Sequence, residues 1–191
     1  MPPVGSAVAP DDALNLVRDA LGGKASETGL NFGQVEVTCS PENLVEVMTT
    51  LRDHEELRCR FFTFLSGVDR STFGGGEEDE AKEGETHRGL EILVHVYSPE
   101  RVFHVNVHVP LPMERAVCPS ITGVYAGAHW PERETWEMFG VHFSGHPKLV
   151  NLYLPEDFDG HPLLKSFKLP SRIVKEWPGA KDPEEAAAGG R

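Results

Sequence analysis

LEILVHVYSPERVFHVNVHV, residues 90–109, reads as two β-strands joined by a tight turn at Ser98, Pro99 and Glu100. In the second strand, Phe103, Val105, Val107 and Val109 fall on one side and His104, Asn106 and His108 on the other. Successive side chains of a strand point to opposite faces, so this spacing describes a sheet with one face turned to a core. An antiparallel pair of this kind needs a second layer over its apolar face, and helices segregated to one face fit the rest of the chain.

Upstream, residues 11–21 have helical spacing, with Leu14, Val17 and Leu21 on one face, Asp11 as a cap and Gly22-Gly23 as a stop. Residues 34–38 read as a brief strand. Ser40-Pro41 then opens a second helix with Leu44, Val47, Met48 and Leu51 as its apolar stripe. RFFTFLSGV, residues 60–68, is apolar on both faces at period two, which predicts a central strand covered twice. Residues 74–85 hold six acids, one lysine and four glycines, a composition too poor in apolar groups to offset its ordering entropy. A mobile, solvated loop is expected there.

Downstream, Cys118-Pro119-Ser120 starts a further helix, with Ile121, Val124, Tyr125 and Ala128 as its buried face. Trp130-Pro131 restarts a short helix, and beyond Gly140 the chain turns irregular. The predicted class is α+β: an antiparallel or mixed sheet with helices packed on one face, plus an extended irregular C-terminal arm. The expected division is a globular part over residues 1–140, an arm over 141–177 and a disordered tail over 178–191.

Composition narrows the function. With 39% hydrophobic and 25% charged residues the chain is that of a soluble globular protein. Its net charge of −12 excludes the Lys- and Arg-rich surface that nucleic acid or anionic lipid requires. No run approaches the length of a membrane span, and the N-terminus lacks the basic and apolar regions of a signal peptide. Cys39, Cys59 and Cys118 are widely spaced, too few for an iron–sulfur cluster and without a C-x-x-C pair. They read as reduced structural thiols. No phosphate-binding glycine loop, nucleotide fingerprint or nucleophile elbow occurs.

Nine histidines raise the question of a metal. On a strand, His104 and His108 share a face about 13 Å apart, too far for one zinc ion at about 2.0 Å per ligand. His142 and His146 are separated by Ser144-Gly145, which breaks helical geometry, and His129, His146 and His161 meet only if the fold brings them together. No metal site is expected.

The densest stretch is HWPERETWEMFGVHFSGHPKLVNLYLPEDFDGHPLLKSFKLP, residues 129–170. In each Gly-His-Pro the glycine permits a positive φ, the proline holds the histidine extended, and the imidazole is free to latch a carbonyl. Glu132 and Glu134 suit the positive end of a helix dipole, and Arg133 reaches Glu137 at i, i+4. A structural ion network or charged interface is preferred to acid–base catalysis.

This stretch resembles the 30-kDa subunit family of respiratory complex I, the C-type subunits of NADH-quinone oxidoreductase. The match lies in Glu132-Arg133-Glu134, Glu137-Met138-Phe139-Gly140, Gly145-His146-Pro147, Leu154-Pro155 and Gly160-His161-Pro162 with Lys165. Val150 and Asn151 stand where the family usually has basic residues, Leu164 where it has arginine, and Ser166 where it often has an acid. The doubled Gly-His-Pro and the Trp177-Pro178-Gly179 element look most like the bacterial enzymes, particularly the actinobacterial ones.

The resemblance implies an α/β sandwich with a long C-terminal extension and a peripheral protein on the cytoplasmic side of the cell membrane. It implies no cofactor in this chain and packing against the large 49-kDa (D-type) subunit, near the B-type and I-type subunits. It also implies support of electron transfer from NADH to quinone and of proton translocation. FMN and the iron–sulfur clusters would lie on partner subunits. Aromatic and arginine side chains anchor interfaces, which selects Arg133, Trp136, Phe139, His146, Tyr153, Phe158, His161 and Trp177 as partner contacts or loop latches. Two alternatives stand beside this reading. One is the equivalent subunit of a membrane-bound hydrogenase or related electron-input complex. The other is a stand-alone metal-dependent hydrolase using His129, His146 and His161.

Overall fold

The computed structural model describes residues 7–71 and 89–169. The acidic stretch 74–85, Trp177 and the tail 178–191 lie outside them. Three helices, α1 (Pro10–Leu21), α2 (Leu44–Asp53) and α3 (His129–Phe139), pack with β1 (Glu27–Asn31), β2 (Gln34–Thr38), β3 (Phe61–Asp69), β4 (Leu90–Ser98) and β5 (Phe103–Leu111). Two short strands, β6 (Val117–Pro119) and β7 (His142–Ser144), form a separate parallel pair.

The main sheet runs β1-β2-β5-β4-β3. Every neighbouring pair is antiparallel except β2 and β5, so the sheet is mixed. The β4–β5 hairpin sits inside the sheet as its alternation requires, with Ile92 opposite Val109, Val94 opposite Val107 and Val96 opposite Val105. On the other side of β5, Val35 pairs with Val105 and Val37 with Val107. All of these are buried, and Ala13, Val17 and Leu21 of α1 with Leu44, Val47, Met48 and Leu51 of α2 are buried with them. The helices lie on one face, and the class is α+β. Each such aliphatic side chain contributes roughly 1.5–3 kcal/mol on burial, so this layer dominates the fold energetics.

Three expectations need correction, and one strand was not expected. The cap of α1 is Ala9, not Asp11, because Pro10 takes the first helical position; Asp11 and Asp12 occupy the first turn. Strand β3 is an edge strand, not a central one. Its second face is open, with Phe61 56% and Phe64 39% exposed. Both rings find partners within the sheet instead: Phe64 stacks on His95 at 5.5 Å and Phe61 meets Tyr97 edge-on at 6.5 Å. Aromatics of this kind make a half-open strand look doubly covered.

The helix expected from Cys118 does not form. Residues 117–119 pair as β6, and the chain then turns to the 3-10 turn Ala126–Ala128. Ile121, Tyr125 and Ala128 are buried as expected, but Tyr125 donates its hydroxyl to the Cys59 carbonyl at 2.6 Å, which fixes an irregular turn where the spacing suggested a helix. Strand β1 has no sequence signal because Glu27, Thr28, Gly29, Leu30 and Asn31 bury none of their number fully. It exists by pairing with β2 through a two-residue turn in which Phe32 and Gly33 both have positive φ.

All three cysteines are free and buried. Burial pushes the Cys39 and Cys59 thiols up to about 12, so they stay protonated and inert. Among the described residues, no helix is long and apolar enough to cross a membrane.

Candidate functional site

Helix α3 organises the motif-rich region. Pro131 sits in its first turn, and Gly140 caps it in the left-handed conformation, its N–H donating to the Trp136 carbonyl at 3.0 Å. Its 3.6-residue period turns Glu132, Thr135 and Phe139 towards the core, while Arg133 and Glu137 reach the segment that follows β7. The ion pair expected between Arg133 and Glu137 does not form; both side chains are taken by backbone.

Arg133 donates from Nε to the Val150 carbonyl at 2.9 Å and from Nη2 to the Asn151 carbonyl at 2.6 Å. The Glu137 carboxylate accepts the next three amides in order: Leu152 at 3.1 Å, Tyr153 at 3.0 Å and Leu154 at 2.6 Å. Asn151 closes the loop by donating to the Leu154 and Pro155 carbonyls. Glu137 is left 4% exposed, its carboxylate enclosed by these amides.

Glu132 is fully buried and accepts the Ile121 N–H at 2.7 Å, which ties the turn after β6 to α3. Its Oε2 has no hydrogen-bond partner. Burial holds its carboxyl above the usual range, against the opposing pull of Ser120 and the Ile121 amide. Glu134 is half-buried and takes no part in these ties.

Both Gly-His-Pro histidines latch loops to α3, through opposite nitrogens. His146 donates from Nε2 to the His129 carbonyl at 3.0 Å and accepts the Lys148 N–H on Nδ1 at 3.1 Å. His161 donates from Nδ1 to the Glu137 carbonyl at 2.8 Å. Gly145 and Gly160, which precede them, have φ of 82° and 109°. Beyond Pro162, the Leu163 amide donates to the Met138 carbonyl and the Lys165 amide to the Asp69 carboxylate at 2.8 Å. Phe158 lies against Phe167 at 6.0 Å.

Asp69 carries no mark in the sequence as a site residue. It is 8% exposed at the end of β3 and also accepts the Ser71 amide; burial raises its carboxyl, but the Ser71 and Lys165 bonds outweigh that and hold it below the usual range. Its role depends on a partner 96 residues away, beyond the reach of any local pattern.

A second set of groups, also unforeseen, lies on the open face of the sheet. His108 stands between Glu36, at 2.6 Å from Nε2, and Glu91, which takes Nδ1, while Arg70 meets the far oxygen of Glu91 at 2.7 Å. The two carboxylates push His108 up to about 9, so the imidazolium persists at neutral pH. The shared parity of Glu91 and His108 about the Ser98–Pro99 turn is the available signal. It needs the register of β2 to be used.

Among the described residues, no three His, Cys, Asp or Glu side chains converge at metal-ligand spacing. His129 and His146 do approach, with ring centroids 4.7 Å apart, but His146 spends both nitrogens on backbone. What the arrangement does is hold irregular chain. Outside it, Trp130 is 67%, Tyr153 62% and Leu169 82% exposed.

The sequence pattern of the family described as respiratory-chain NADH dehydrogenase, 30 Kd subunit, matches residues 37–172. The chain is 35% identical over 147 residues to the C-type subunit of NADH-quinone oxidoreductase from Mesorhizobium japonicum, covering 77% of this chain and 66% of that protein. It is 35% identical over 158 residues to the corresponding protein of Neisseria meningitidis serogroup B, covering 83% of this chain and 77% of the relative. The chain thus spans about two thirds to three quarters of these relatives. The fold is shared with a trypsin-resistant fragment of Nqo5, at a TM-score of 0.55 and 20% identity over 71% of this chain and 97% of the fragment. It is also shared with a chain of a membrane-bound sulfane sulfur reductase, an archaeal respiratory membrane complex, at a TM-score of 0.57 and 20% identity over 81% of this chain and 85% of the other. With the family pattern running from β2 through both Gly-His-Pro loops, the chain belongs to the 30-kDa subunit family of respiratory NADH dehydrogenases, the C-type subunits of NADH-quinone oxidoreductase.

Proposed function

We propose that this chain is a structural subunit, with no cofactor of its own, in the peripheral arm of a proton-translocating NADH:quinone oxidoreductase on the cytoplasmic side of the membrane. In this reading residues 1–140 form the globular part, and residues 141–177 form an arm that lies across the 49-kDa (D-type) subunit near the B-type and I-type subunits. FMN and the iron–sulfur clusters belong to the partner subunits, where NADH is oxidised and quinone reduced.

One observation carries the reading. Between β7 and Leu169 the chain has no regular element of its own, yet it is tied to α3 and β3 at defined points while Tyr153, Phe158, Leu163 and Leu169 stay exposed. Exposed apolar groups on an ordered surface mark an interaction site. Family membership supports the identity of the partners.

A chain of a sulfane sulfur reductase has the same fold, so an equivalent subunit of a membrane-bound hydrogenase or related electron-input complex is the second reading. Truncation of the chain at Gly145 tests the arm. A folded chain that no longer joins its complex is the expected result; normal levels of assembled complex would refute it.

A further inference from the structure

We propose that Arg133 and Glu137 are positioning residues of the assembly surface, fixing the backbone of residues 150–154, with Glu137 acting without meeting the partner itself. This inference rests on the reading above, that the segment after β7 meets a neighbouring protein of the assembly.

The two side chains stand one helical turn apart on α3 and divide five consecutive residues between them. Arg133 takes two carbonyls, those of Val150 and Asn151. Glu137 takes the three following amides, from Leu152, Tyr153 and Leu154. A guanidinium can only donate and an ionised carboxylate can only accept. The pair therefore fixes the direction of the chain as well as its place: reversing the peptide units would set donor against donor and acceptor against acceptor.

Every one of these bonds goes to backbone. Asn151 spends its side chain on the Leu154 and Pro155 carbonyls, while Val150 and Tyr153, 42% and 62% exposed, are left to match a partner. Trp130, one turn before Arg133, is 67% exposed and belongs to the same helix.

Glu137 itself is 4% exposed beneath the loop and has no surface to offer a partner. Its effect must pass through the loop. A segment with no strand or helix of its own would otherwise lose its backbone freedom at the moment of binding. Held in advance, it binds as a formed surface.

The test uses the full-length chain, affinity-tagged and extracted gently from native membranes, with recovery of the assembly measured alongside amide hydrogen exchange of the purified chain. Truncation at Gly145 tests the underlying reading: recovery of the assembly with the truncated chain would overturn that reading and the inference with it. Glu137→Gln tests the inference alone. It should lower recovery by about tenfold or more and speed exchange at residues 152–154, while the amides of β4 and β5 stay protected.

Arg133→Met should act in the same direction. The double variant should be no worse than the more severe single, since both act through one loop. Tyr153→Ala, which leaves the clamp intact, should lower recovery without changing exchange at 152–154. Full recovery with Glu137→Gln would overturn the inference, and so would a loss accompanied by faster exchange in β4 and β5, which would mark a folding role.

Discussion

The ring of Phe139 lies so close against Gly67 that a Cβ added there would sit 2.7 Å from its Cδ2. This contact seats α3 on β3, and it explains why a glycine stands at this point of the strand. Gly67→Ala should therefore destabilise the domain by about 1–3 kcal/mol through overpacking. Urea denaturation should show a lower midpoint at an unchanged slope. Phe139→Leu in the same chain should recover part of the loss, and an unchanged midpoint for Gly67→Ala would contradict the packing described.

The next residue after Phe139 makes the complementary contact. Gly140 has φ of 77°, and a Cβ on it would fall 2.8 Å from the His161 ring. Gly140→Ala should cost about 1–2 kcal/mol from the left-handed backbone alone, and the clash should release the His161 latch. Faster hydrogen exchange at Leu163, whose amide is held by the Met138 carbonyl, is the expected mark.

Glu132 gives a prediction whose sign follows from burial. Its folded-state carboxyl is raised above the ordinary value. Its favourable contribution is therefore complete below the unfolded pKa and is lost as pH rises through the folded one. Glu132→Gln keeps an acceptor for the Ile121 amide without the charge, so its stability relative to the native chain should improve as pH rises from about 4 to 8. Glu132→Ala should instead cost about 2–4 kcal/mol, from the cavity and the orphaned amide. A chemical-denaturation series across that range checks both.

His108 titrates at the other end. Its folded value of about 9 stands above the ordinary 6.5, so its contribution is complete below about pH 6.5 and is lost as pH rises through about 9. The stake is on the order of 3 kcal/mol. His108→Gln should remove most of the alkaline loss and lower stability at pH 7, because Glu36 and Glu91 then face no imidazolium. A native chain equally stable at pH 7 and pH 10 would contradict this.

The contrast between what the sequence revealed and what it hid follows the range of the interactions. The β4–β5 hairpin and the stripe of α2 were legible because their spacing is local: Val105, Val107 and Val109 alternate, and Leu44, Val47, Met48 and Leu51 recur by turns. The two histidine latches were legible because Gly and Pro fix the backbone on either side of them. Strand β3 was misleading because Phe61 and Phe64 cover themselves with rings from β4, which imitates burial by a second layer. The i, i+4 pairing of Arg133 with Glu137 failed because backbone groups from residues 150–154 outcompeted it. Asp69 depends on Lys165 and could not be found without the fold.

The central claim is that this chain works inside a larger respiratory assembly. The measurement that tests it most directly is affinity extraction of the tagged full-length chain from native membranes, followed by mass spectrometry and activity assay of what accompanies it. The predicted result is a large assembly containing flavin and iron–sulfur clusters, with the 49-kDa (D-type) protein among its members and NADH:quinone activity. Recovery of the chain alone, or bearing a bound metal and hydrolytic activity, would contradict it.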